Sequence, residues 1–84
     1  MWRVNVDEAV ERRLKKIPNP DKKRIQHAID ILEYNPEILD IKPLIGHGSY
    51  RLRVGSWRLL MDIFEEEKII SVYMLGSRGD VYKK

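Results

Sequence analysis

The stretch Ser49-Tyr-Arg-Leu-Arg-Val-Gly-Ser-Trp-Arg-Leu-Leu-Met61 decides the fold of this chain. Tyr50, Leu52 and Val54 alternate with Arg51 and Arg53, the period-two pattern of a strand with one buried face. Gly55-Ser56 suits a two-residue hairpin turn, with glycine where φ must be positive. Trp57, Leu59, Met61 and Ile63 carry the alternation along the return strand. With that loop, Val54 lies opposite Trp57, Leu52 opposite Leu59 and Tyr50 opposite Met61, all on one apolar face. The other face sets Arg53 against Arg58 and Arg51 against Leu60. Like charges directly opposite one another destabilise a sheet, and no acid lies between residues 49 and 61. An anionic ligand would supply the missing partner, and phosphate matches the guanidinium fork. The plainer alternative is a solvated face with Asp62 as its counter-ion.

On the N-terminal side, Trp2, Val4 and Val6 alternate as a first strand. Asp7 is placed to cap a helix, with Glu8 and Glu11 in the first turn where the dipole favours acids. Val10, Leu14 and Ile17 make one buried stripe, and Pro18 ends the helix. Asn19-Pro20 predicts a restart with Asn19 as N-cap. Ile25, Ala28, Ile29 and Leu32 form the stripe of a second helix, which Asn35-Pro36 ends. Residues 37 to 48 read as a connection anchored by Ile38, Leu39, Ile41, Leu44 and Ile45, turning at Gly46-His47-Gly48.

On the C-terminal side, a turn at Glu66-Glu67 leads into a last strand over residues 68–75. It is expected to place Ile70, Val72 and Met74 on the face of Met61 and Ile63, with Tyr73 and Leu75 on the open face. The order is therefore strand, helix, helix, strand, strand, strand. It predicts an α+β fold with two helices packed on one face of a small, mainly antiparallel four-stranded sheet.

Composition narrows the function classes. Eighty-four residues make one domain with a modest core. The absence of cysteine removes disulfides and thiolate metal sites. No stretch approaches the roughly 20 apolar residues of a membrane span, and Met-Trp-Arg-Val at the start resembles no secretion signal. A cytosolic protein is expected. The net charge of +3 and pI near 9.3 permit a polyanionic partner. The charge is unevenly spread: Arg12 to Arg24 holds seven basic residues and one acid, Asp21. That run is either the wet side of two helices or a contact for a polyanion such as RNA.

The order of elements resembles the RelE/ParE superfamily of toxins from toxin–antitoxin pairs, and is most similar to the RelE-type mRNA interferases. Three stretches carry the likeness: Pro43-Leu-Ile-Gly46, Tyr50-Arg-Leu-Arg-Val-Gly-Ser-Trp-Arg58 and Leu75-Gly-Ser-Arg-Gly-Asp-Val-Tyr82. The resemblance implies a single RelE-like domain over residues 1–84, acting as a ribosome-dependent mRNA endonuclease. It would cut the message in the decoding site by attack of a ribose 2′-hydroxyl on the adjacent phosphate, with no metal or other cofactor. Its partners would be the ribosome, mRNA and a cognate antitoxin.

By the same resemblance, Arg58 is the arginine that contacts the scissile phosphate and Arg78 the arginine after the last strand. Tyr82 is the C-terminal tyrosine that stacks on a base and helps order the nucleophile. These three are the catalytic candidates, and Arg51 and Arg53 the RNA-binding ones. Preplaced cations suit the charge of a phosphorane-like transition state, and an aromatic ring suits base stacking. Arg51 and Arg53 stand where RelE-type toxins often carry lysines, and Ser77 where many relatives have histidine. Arginine does not deprotonate in proteins, so a base would have to be Tyr82, His47 or a ribosomal group, unless catalysis rests on positioning and electrostatics. Two other readings share the fold: a ParE-like topoisomerase (gyrase) poison, and a degenerate toxin that only binds RNA or antitoxin.

Overall fold

The computed structural model describes residues 1–44, 46 and 48–77. Strand β1 (Arg3–Val6) leads into helix α1 (Glu8–Lys15) and helix α2 (Asp21–Tyr34). A 3₁₀ turn (Pro36–Ile38) then precedes strands β2 (Ile41–Pro43), β3 (Tyr50–Val54), β4 (Trp57–Phe64) and β5 (Ile69–Ser77). The strands form one sheet in the order β1-β5-β4-β3-β2. The pairings β2–β3, β3–β4 and β4–β5 are antiparallel, and β1 joins β5 in parallel. The helices cover one face, with Val10, Leu14, Ile17, Ile25 and Leu32 packed on Leu52, Leu59, Met61, Ile70 and Val72. Among the described residues no helix is long and apolar enough to cross a membrane.

The hairpin has the register that its alternation dictates. Val54 pairs with Trp57, Arg53 with Arg58, Leu52 with Leu59, Arg51 with Leu60 and Tyr50 with Met61. Gly55 has φ +60, while Ser56 is not among the residues of positive φ, which is the pattern of a type II′ turn. Both helical stripes are buried as the 3.6-residue period requires.

Three expectations need correction. The sheet has five strands, not four, because Ile41–Pro43 adds an edge strand beside β3. Three residues are too few to display a period, and Pro43 is tolerated because an edge strand needs no donor on its outer side. Second, Asn19 does not cap α2. The Pro20 carbonyl accepts the Arg24 amide at 3.0 Å, so Pro20 stands at the helix boundary.

Third, the register of β4–β5 shifts between Leu60 and Met61. Met61 pairs with Val72 but Leu60 pairs with Met74, leaving Tyr73 as the extra residue of a β-bulge. Beyond it the faces exchange. Leu75 opposes Leu59 and joins the core at 4% exposure, while Met74 stands with Leu60 on the opposite face. Strict alternation would have sent Leu75 outward.

Candidate nucleic-acid interface

The sheet face turned away from the helices is built in rows across the strands. One row runs Arg53–Arg58–Gly76, the next Lys42–Arg51–Leu60–Met74, and a third Asp62–Ser71–Asn5. Cations thus gather at the β2–β3 end. Two cross-strand pairs are of like charge, Arg53 with Arg58 and Lys42 with Arg51. Gly76 places no side chain beside Arg58.

Arg58 is 7% exposed. Its Nη1 donates to the carbonyls of Gly55 at 3.3 Å and Trp57 at 3.2 Å, tying the guanidinium to the hairpin turn. Its Nε, and that of Arg51, are buried and find no hydrogen-bond partner among the described residues. A buried cation left under-satisfied is costly. The two lie one diagonal apart on the sheet, since Arg51 pairs with Leu60, two residues from Arg58.

Asp62 is not the counter-ion of the arginines. It accepts a hydrogen bond from Ser49 Oγ at 2.9 Å. Among the described residues the acid beside Arg51 and Arg53 is Asp40, just before β2. Its Oδ2 lies 2.7 Å from Arg53 Nε and its Oδ1 4.0 Å from Arg51 Nη2. The backbone repeats the tie, with the Arg53 amide donating to the Asp40 carbonyl at 3.0 Å. Asp40 and Lys42 escape a reading by sequence because they sit in a connection without visible period. The signal that places them is the pairing of Ile41 with Leu52.

The structure thus brings Arg51, Arg53 and Arg58 together. Arg78, Tyr82 and His47 lie outside the described residues. No cluster of three or more His, Cys, Asp or Glu suited to a metal ion occurs among the described residues. The basic run of the helices divides over two grooves. Arg12, Arg13 and Lys16 line one of about 570 Å³ with Ala9, Ile17 and Trp57. Lys15, Lys22 and Lys23 line another of about 460 Å³ with Glu11, Leu14 and Gln26. Trp57 closes the first groove against α2, its indole N–H donating to Asp21 Oδ2 at 3.0 Å.

A two-helix layer on a mixed sheet, with an arginine cluster on the far face, defines a small RelE-like α+β protein. The family model for the ParE toxin of type II toxin–antitoxin systems matches residues 4–82, and the chain belongs to that family, within the RelE/ParE superfamily. RelE1 of Methanocaldococcus jannaschii is 30% identical over 98% of this chain and 96% of its own length. The RelE–RelB complex of Pyrococcus horikoshii contains a chain 32% identical, with a TM-score of 0.79 over 94% of this chain and 97% of that one. The RelB–RelE complex from Methanococcus jannaschii matches at 26% identity and a TM-score of 0.75, over 94% and 95% of the two chains.

Proposed function

We propose that this toxin is a metal-independent endoribonuclease that cleaves mRNA in the ribosomal decoding site, and that a cognate antitoxin of RelB type restrains it. The observation that carries the reading is the pair of buried, unpartnered Nε atoms at Arg51 and Arg58 on an otherwise cationic sheet face. A phosphodiester placed between them would meet two guanidinium forks. The neighbouring 2′-hydroxyl would attack, giving a cyclic phosphate while the bond to the 5′-oxygen of the next nucleotide breaks and that oxygen takes up a proton. Charge that builds on the phosphoryl oxygens would be met by nearby guanidinium donors. Arg58 is the better held of the two, through the turn carbonyls, and is assigned to the scissile phosphate. Arg78 and Tyr82 are proposed to complete the site, the first as a further cation and the second as a stacking ring. The antitoxin is proposed because the similar chains are seen in RelE–RelB complexes.

The match to a ParE family model favours one other reading, a topoisomerase poison that acts by binding. Cleavage mapping separates the two. A defined mRNA is incubated in a purified translation system, with and without ribosomes, with wild type and Arg58→Ala. The nuclease reading expects ribosome-dependent cuts within decoding-site codons, lost in the variant. Growth arrest without any cleavage, together with inhibited DNA supercoiling, overturns it in favour of the topoisomerase.

A further inference from the structure

We propose that Asp40 is an internal counter-anion that withholds Arg53 from RNA, so that Arg51 and Arg58 meet the phosphates and Arg53 does not. The proposal rests on the nuclease reading above and divides its arginine cluster into two kinds. Arg53 is committed twice to Asp40, by a 2.7 Å contact at Nε and by its own amide to the Asp40 carbonyl. The two residues are therefore held as a unit at the edge of the sheet. Arg51 stands at 4.0 Å from the same carboxylate, a distance of charge contact without a hydrogen bond, and its Nε remains unpartnered. Arg58 has no carboxylate contact among the described residues and likewise keeps an unpartnered Nε.

Register supplies the reason for such a device. Arg53 and Arg58 face one another directly, an arrangement that repels. Placing a carboxylate on the outer of the two relieves the repulsion and leaves the inner one free to attract an anion. Arg53 is the outer one, its side chain 51% exposed. A cation already neutralised at 2.7 Å displaces few of the counter-ions condensed on the RNA, and their release drives sequence-independent binding to nucleic acid. Asp40 thus trims the affinity of the face for free RNA while leaving the central pair charged. Asp40 and Arg53 are positioning residues in this scheme.

The test is a double-mutant cycle read by salt dependence. A fluorescent single-stranded RNA is titrated with wild type, Asp40→Asn, Arg53→Gln and the double variant over a series of salt concentrations. Asp40→Ala is run beside Asp40→Asn, because asparagine retains an acceptor for Arg53. Each phosphate contact contributes about 0.7 to the slope of log affinity against log salt for single strands. Arg53→Gln is expected to leave the wild-type slope unchanged. Both Asp40 variants are expected to bind more tightly at low salt and to steepen the slope by about 0.7. The double variant is expected to return to the wild-type slope. A purely structural salt bridge would alter thermal melting and leave every slope alone, which overturns the proposal. So does a shallower slope for Arg53→Gln alone, since Arg53 would then already contact RNA. Wild type that binds RNA without any salt dependence overturns the phosphate-cradle reading itself, and the counter-anion with it.

Discussion

Arg58 shows how much one position is asked to do. It is held by two main-chain carbonyls, lies opposite a second arginine and carries a buried nitrogen without a partner. On the nuclease reading proposed above, replacing it with alanine removes the cation assigned to the scissile phosphate. Loss of one preorganised donor of this kind lowers kcat by about 10²–10³. Arg58→Ala is expected to fall by at least that much in a ribosome-dependent cleavage assay while still unfolding cooperatively, because the repulsion with Arg53 goes with it. Arg58→Lys keeps the charge but not the fork, and is expected to recover only a small part of the activity. Gly55 is a conformational rather than a chemical requirement. It has φ +60, and a Cβ there would meet nothing within 4 Å. The cost of Gly55→Ala is therefore that of holding an alanine at positive φ, about 1–3 kcal/mol, to be read from urea unfolding.

At the scale of the element, the bulge in β5 decides which residues are core. A classical reading by alternation makes Met74 internal and Leu75 external, whereas the paired register reverses them. Leu75→Ala is expected to cost about 2–5 kcal/mol as a large-to-small change in a packed core. Met74→Ala is expected to cost clearly less, and equal or reversed values in urea denaturation would remove the bulge. The hairpin is also tied to the helical layer by the Trp57 indole on Asp21. Trp57→Phe keeps most of the apolar area and deletes that bond, for an expected loss of about 1 kcal/mol.

Across the whole molecule the two sheet faces divide the work. One is a core shared with α1 and α2, and the other carries Lys42, Arg51, Arg53, Arg58 and the acid Asp40. Under the proposed function, stability and RNA binding should therefore respond to different substitutions. Leu32→Ala, on the buried face of α2, is expected to lower stability by about 2–5 kcal/mol, a large part of the roughly 5–15 kcal/mol of a small domain. The molecules that remain folded should bind RNA as wild type does. Arg51→Ala is expected to do the reverse, weakening RNA binding with little change in melting temperature. Paired melting and RNA titration on the two variants checks the separation.

What could be read from the chain alone followed from short-range chemistry. Alternation between Tyr50 and Ile63, with glycine at the turn, determined the full β3–β4 register. That register by itself puts Arg51, Arg53 and Arg58 on one face. The 3.6-residue stripes likewise determined both helices, because each apolar pattern agrees with only one local geometry. Tertiary structure decided the rest. The edge strand Ile41–Pro43 exists because β3 offers it a pairing edge, and Asp40 reaches Arg53 only through that pairing. The bulge at Tyr73 answers to the packing of Leu75 beneath the helices, a demand invisible to a local period. These features join residues distant in the chain, and their energy comes from a neighbour that only the folded sheet supplies.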